Sequence, residues 1–252
     1  MSLSKAKIKL IRSLDQKKHR KEHQLFVAEG PKLVDELIGY FNCKLLVATQ
    51  DWIQEHSNYH TEELILATQD ELSKASALKT PQQVIALFEQ PQYEIDNKAM
   101  QHSLCLALDG VQDPGNLGTI IRLADWFGIE HIYCSQDTVD IYNTKTIQAT
   151  MGGLARVKIH YTSLTEIIKQ NPNIPIYGTF LDGENIYDKQ LEQKGLIIMG
   201  NEGKGISDEL QELVSHKLYI PNYPMNKESA ESLNVAIATA IVCSEFRRQA
   251  SI

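Results

Sequence analysis

Short apolar runs alternate with helix-patterned stretches along almost the whole chain, and this alternation constrains the fold more than any other feature. In the first part, LFVAEG (25–30) reads as a strand ending in a turn, followed by a helix over 31–40. CKLLVAT (43–49), ELILAT (63–68) and VIALFE (84–89) read as further strands with helices between them. In the second part, SLCLALD (103–109), HIYC (131–134), PIYGTF (175–180), LIIMG (196–200) and KLYI (217–220) repeat the pattern, and a long helix, apolar on one face, follows over 232–249. Such alternation predicts an α/β fold with a mostly parallel sheet flanked by helices. The polar, proline-containing and aperiodic stretch 91–102 marks a boundary. A length of 252 residues accommodates the two domains this implies: a small α/β domain over 1–92, a linker over 93–102 and a larger domain over 103–252. Ligands of such sheets bind beyond the carboxyl ends of the strands, so chemistry is sought in the loops that directly follow strands.

Three of these loops stand out. In LDGVQDPGNLGTIIRLADWFGI (108–129) a strand ends at Asp109 and a turn rich in Gly and Pro follows. A helix is predicted from near Leu117, with Leu117, Ile120, Ile121, Ala124 and Phe127 on its buried face. Asn116 stands where an N-cap would. Arg122 lies off the apolar stripe, as either a surface arginine or a bidentate phosphate ligand. In LIIMGNEGKGIS (196–207) a strand runs into Gly200, Asn201, Glu202, Gly203, Lys204 and Gly205, whose glycines admit close approach of a ligand. The spacing matches neither the Walker loop nor the dinucleotide fingerprint, and Ser207 is placed to cap the helix after it. In YIPNYPMNKESAESLNVAIATAIVCSEF (219–246) a strand ends at Ile220–Pro221, and Ser232 and Asn234 stand in the first turn of the last helix. Unpaired N–H groups there can hold polar ligand groups, or Ser232 can simply cap them.

Composition removes several alternatives. No apolar run approaches the ~18 residues of a membrane span, and the N-terminus lacks the apolar core and cleavage site of a secretory signal. Cys43, Cys105, Cys134 and Cys243 form no CxxC pair, so they read as reduced, mostly buried thiols of a cytoplasmic protein. His19 and His23, like His56 and His60, are four residues apart. HRKEH lacks the Glu directly after its first His, and no third ligand stands near the second pair, so no metal site is read. The net charge of −7 speaks against nucleic acid until it is divided. Residues 1–24 hold eight basic side chains (Lys5, Lys7, Lys9, Arg12, Lys17, Lys18, Arg20, Lys21) against Asp15 and Glu22, so the acidic excess lies in the remainder. The basic arm is either a solvated helical face or a local phosphate-binding surface.

Each loop alone says little, but DPGNLGTIIRLADWFGI, then IIMGNEGKGIS, then IP followed by SLNVAIA closely resemble the three motifs of the SpoU family of RNA ribose methyltransferases. SLDQKKHRKEHQLFVAEGPKLVDELI resembles that family's substrate-binding domain, with its Ser-Leu, basic residues and Phe-x-x-Glu-Gly. The resemblance implies a SPOUT-class catalytic domain threaded as a deep trefoil knot, S-adenosylmethionine as cofactor, and a homodimer formed through the knotted domain. Carried onto this chain, it implies catalytic roles for Asn116, Arg122, Glu202, Ser232 and Asn234. It implies cofactor contacts at Thr179, Gly200, Asn201, Gly203, Ile220 and Leu233, and RNA contacts at Lys17, Lys18, Arg20, Lys21 and Glu29. From the residues themselves, neither a metal nor a membrane is expected as a partner. Ribosomal RNA is the expected substrate, with transfer RNA or a non-catalytic RNA-binding role as alternatives. Arg122 would bind the target phosphate or stabilise the emerging alkoxide, held in place by Glu202, with Asn116 orienting Arg122 or the ribose.

Overall fold

A computed structural model describes residues 3–56, 59–96, 98–224 and 232–250. Contacts divide the chain into two compact units: residues 1–92 with 140–155, and residues 93–139 with 156–252.

The first unit begins with α1 (Lys5–Ser13), whose first turn is capped by Ser4, and α2 (Lys17–His23), which ends at Gln24 in the left-handed conformation (φ 53°). There follow β1 (Leu25–Glu29), α3 (Pro31–Leu37), β2 (Cys43–Ala48), α4 (Gln50–Glu55), β3 (Leu64–Leu66), α5 (Gln69–Ala75) and β4 (Val84–Glu89). The sheet order is β1-β4-β2-β3. It is mixed: β4 runs antiparallel to both β1 and β2, and β2 is parallel to β3. The five residues Val84–Phe88 of central β4 are all buried, which is why VIALFE is apolar without alternation. Leu14, Leu45, Val47, Leu72, Ile85 and Leu87 pack one face of this sheet. On the other, Phe26 meets Phe41 edge-on at 5.4 Å and stacks on Tyr142 at 5.1 Å. Tyr142 belongs to the 140–155 segment, so the first unit is discontinuous in sequence.

The second unit starts with α6 (Ala99–His102), where the sequence suggests only a linker. Ala99 and Met100 are buried against the sheet's core, which makes this turn part of the domain. Then come β5 (Leu104–Leu108), α7 (Pro114–Trp126), β6 (His131–Cys134), α8 (Thr144–Thr150, in the first unit), β7 (Lys158–Tyr161), α9 (Leu164–Lys169), β8 (Ile176–Asn185), β9 (Gly195–Met199), α10 (Asp208–Gln211), β10 (His216–Tyr219) and α11 (Val235–Ala250). The six strands are ordered β10-β8-β9-β5-β6-β7 and every pairing is parallel. β5, β6 and β9 are buried along their whole length, as strands covered on both faces must be. β7 escapes sequence reading because KIHY is an edge strand with only His160 buried. His160 stacks on His131 with facing ring nitrogens 3.2 Å apart. Burial first, then the neighbouring His131 and Lys158 charges, push its pKa down to about 4. From β5 the chain proceeds toward β6 and β7 on one side, while β9, β8 and β10 lie on the other. The β5/β9 pair is therefore the point where strand order reverses, and the crevice beyond its carboxyl ends is the expected ligand position.

The four cysteines are buried and unpaired. Among the described residues no helix is long and apolar enough to cross a membrane.

Candidate active site

The loop after β9 closes on itself. Asn201 and Gly205 exchange backbone hydrogen bonds of 2.9 Å in both directions, and Asn201 Oδ1 accepts the N–H groups of Gly203 (2.9 Å) and Lys204 (3.0 Å). The same side chain donates from Nδ2 to the Gly110 carbonyl at 2.6 Å, tying this loop to the one after β5. Asp109 completes the tie by accepting the Ser207 N–H at 2.7 Å. A Cβ on Gly200 would lie 2.2 Å from the Gly205 carbonyl carbon. Glycine is thus required there by the chain's own return, rather than by a ligand's approach as its sequence context suggests. Ser207 occupies the N-cap position of α10 but makes no side-chain capping bond.

All three sequence loops converge on Asn116. Glu202 accepts from the backbone N–H groups of Gln112 (3.2 Å) and Asp113 (3.1 Å) and from Asn116 Nδ2 (3.0 Å). Asn116 Oδ1 in turn accepts from Asn234 Nδ2 at 3.0 Å. Asn234 Oδ1 takes the N–H groups of Ala236 (3.0 Å) and Ile237 (3.3 Å) at the start of α11. Desolvation alone would raise the Glu202 pKa. The bonds from Asn116 and from the backbone of Glu202, Asp113 and Gln112 outweigh it and hold the carboxyl below its ordinary range. An ionised carboxylate at the N-terminus of α7 also complements the helix dipole.

This geometry corrects three expectations. Asp113, not Asn116, caps α7: its carboxylate accepts the Asn116 N–H at 2.8 Å and Pro114 takes the first helical position, so the helix starts three residues before Leu117. Relieved of capping, the Asn116 amide is available to both partners. Asn234, not Ser232, caps the last helix, which begins at Val235; Ser232 is exposed outside it. Glu202 does not hold Arg122, because its hydrogen bonds go to the loop after β5 and to Asn116. Arg122 is exposed and is not bonded to any described residue. The buried face of α7 is as expected at Leu117, Ile120, Ile121 and Ala124, with Phe127 half-buried at the helix end.

Beside this relay lies a cavity of about 880 Å³. Thr179, Gly200, Asn201, Gly203, Ile220 and Leu233 all line it, as do Glu202 and Ser232. Asn201 shapes the wall rather than offering a free amide, since its side chain is spent within the loops. Sequence reasoning missed Met199, Ile206 and Tyr219 on the same wall; the apolar ends of the strands were the available signal. Residues 225–231, in the loop between Ile220 and Ser232, lie outside the described residues.

In the first unit, Lys17, Lys18 and Lys21 are exposed on α2. Arg20 and Glu29 are not, and their expected RNA contacts are corrected. Arg20 is 3 % exposed. Its guanidinium donates to the Leu14 (2.8 Å) and Asp15 (2.6 Å) carbonyls and to Asp140 Oδ2 (2.7 and 3.1 Å). Glu29 is 2 % exposed. Its carboxylate accepts from the Ser76 hydroxyl and from the Ala77 N–H, pinning the segment after α5. Both residues hold the unit together from within.

Comparison with known proteins fits this arrangement. Residues 103–244 match the SpoU rRNA methylase family, and residues 5–86 match the MRM3-like substrate binding domain. The 23S rRNA (guanosine(2553)-2'-O)-methyltransferase RlmP of Bacillus subtilis is 30 % identical over 250 residues, 98 % of each chain. An AdoMet-bound rRNA methyltransferase from Sinorhizobium meliloti superposes with a TM-score of 0.84 at 32 % identity, over 98 % of this chain and 96 % of that one. A protein from Porphyromonas gingivalis assigned to the TrmH family of RNA methyltransferases superposes with a TM-score of 0.87 at 40 % identity, over 98 % of this chain and 99 % of its own. With the motif loops joined at the reversal point of a parallel sheet and the family model spanning all six of its strands, the chain belongs to the SpoU rRNA methylase family.

Proposed function

We propose that this protein transfers a methyl group from S-adenosylmethionine to the ribose 2′-hydroxyl of an RNA, and that the RNA is ribosomal. The observation that carries the reading is Asn116 bonded at once to Glu202 and Asn234, beside a cavity whose walls come from the same two later loops. The cavity suits the cofactor in size, and its mixture of backbone polar groups with Met199, Ile220 and Leu233 suits a molecule that is part nucleoside and part amino acid. Ribosomal RNA is preferred because RlmP of Bacillus subtilis, matched over 98 % of its length, is named a 23S rRNA methyltransferase.

When bound, S-adenosylmethionine supplies a methyl group on a sulfonium. The protein must place a ribose oxygen in line with it and accommodate the proton that oxygen loses. Orientation alone contributes up to ~7–11 kcal/mol in favourable cases. Asn116, fixed from both sides, presents a set geometry to the ribose. Glu202, kept ionised, locks the loop after β5. Arg122, exposed and uncommitted, binds the phosphate beside the target and stabilises negative charge developing on the ribose oxygen. A guanidinium does this as a fixed cation; serving as a base would ask it to lose a proton it holds tightly. The lysines of α2, Lys17, Lys18 and Lys21, add sequence-independent phosphate affinity.

The family's knot and dimer belong to the same proposal. The segments flanking 225–231 both border the cavity, as a chain end drawn through the loop after β9 would. The packed helices α7 and α11 leave Trp126 82 % and Ile237 53 % exposed, an apolar surface suited to a second copy of the chain. Four buried, unpaired thiols suit action in the reducing cytoplasm.

Calorimetric titration with S-adenosylmethionine, followed by transfer of labelled methyl to ribosomal RNA, tests the reading. Cofactor binding and a ribose-methylated product are expected. A protein without cofactor affinity, or a label on a base, overturns it.

A further inference from the structure

The short helix α2 carries a side-chain cluster that methyl transfer does not use. His19, Glu22 and His23 occupy positions i, i+3 and i+4 of this helix, so they emerge on one face across a single turn. One ligand atom from each lies within 4.8 Å of the other two. The imidazole planes are inclined by only 26° with centroids 6.4 Å apart, and His19 Nδ1 lies 3.2 Å from Glu22 Oε2. Three other histidines of the chain are committed elsewhere. His56 bonds the Trp52 carbonyl at 2.8 Å and Asp35 at 3.1 Å, and His131 and His160 are buried against each other.

We propose that His19, Glu22 and His23 form a surface site for a transition-metal dication of the Zn²⁺, Ni²⁺ or Cu²⁺ class. Ligand atoms about 2.0–2.2 Å from one metal stand at most ~4.4 Å apart. The observed spread closes with small rotations of side chains that face solvent. Two imidazole nitrogens and one carboxylate oxygen make a three-ligand set on one side of the ion, with the remaining positions open to water. Imidazole donors favour these metals over Mg²⁺ and Ca²⁺, which take oxygen ligands. Lys17, Lys18 and Lys21 on the same helix are exposed. Their charge opposes any dication held by electrostatics alone and leaves coordination by nitrogen as the attractive term. HRKEH departs from the zincin pattern because its acid precedes the second histidine rather than following the first.

Zinc chloride titrated calorimetrically into the full chain, free of any histidine tag, is the test. One saturable site is expected. It weakens about tenfold or more in His19→Ala and in His23→Ala, less in Glu22→Gln, and is lost in the double histidine variant. Magnesium chloride gives no comparable binding. Cobalt(II) added to the unaltered chain gives a reading independent of any variant: a ligand-field band distinct from aqueous cobalt that zinc displaces. An isotherm unchanged in the double variant, equal binding of magnesium, or a cobalt spectrum identical to the aqueous ion overturns the proposal.

Discussion

Two arginines, one in each unit, illustrate how the same side chain serves opposite ends. Arg20 in α2 stands among lysines, in the part of the sequence richest in positive charge, yet its donors are turned inward on two carbonyls and Asp140. Arg122 in α7 stands in an acidic remainder of the chain, yet it is exposed with no bond to a described residue. Local charge density is therefore a poor guide to which guanidinium meets a phosphate. What decides is whether the chain has already satisfied it. A guanidinium with every useful donor engaged fixes the path of the backbone; one left unengaged is available to a substrate.

The largest effect should come from the enclosed arginine. Arg20→Ala removes one member of a buried pair and leaves Asp140 and two carbonyls without their donor, a loss of about 3–5 kcal/mol readable in denaturant melts. An unchanged melt would erase the distinction between the two residues. Arg122→Ala should leave the melt alone and cut turnover by about 10²–10³-fold, the scale of losing one donor to a developing oxyanion. Near-normal turnover in Arg122→Lys would sink the bidentate role. Acid should separate the units that house them. His160, in the unit of Arg122, is held at about 4 by burial and by His131 and Lys158, against ~6.5 in an unfolded chain. Between those values the unfolded state takes up a proton that the folded state refuses, so stability is full above pH ~6.5 and falls as pH drops toward 4. By pH 5 the parallel-sheet unit should lose at most about 2 kcal/mol, measured by unit-specific probes. The smallest effect concerns the exposed lysines. Replacing Lys17, Lys18 and Lys21 by Ala should weaken RNA binding several-fold and reduce its salt slope by about 2. An unaltered slope would make the arm only a solvated helix.

Much of this was legible in sequence because burial leaves a periodic trace. The central strands LCLAL, HIYC and LIIM are buried on both faces, and the sequence marks them to within a residue or two. β7 was not, since an edge strand written KIHY shows no such pattern. The motif residues were found, but their local roles were not. Asn116 and Asp113 both suit a helix start, and only the Pro between them, placed at the first helical position, separates the two. Ser232 and Asn234 present the same ambiguity. Arg20 and Glu29 failed for a different reason: their partners Asp140, Ser76 and Ala77 lie 47 to 120 residues away in sequence, beyond the reach of local pattern.

The excursion of residues 140–155 into the first unit also bears on time. That unit lacks the carboxylate for Arg20, the ring that stacks on Phe26 and the Gln148 amide that bonds the Glu29 carbonyl until this segment exists. A ribosome adding roughly 5–20 residues per second makes the first 92 residues wait several seconds for it. During that interval the N-terminal part carries an unneutralised guanidinium and an unfilled aromatic face. Its final closure is therefore tied to the synthesis of the catalytic sheet's second strand in chain order, β6, after whose end comes the segment that completes it.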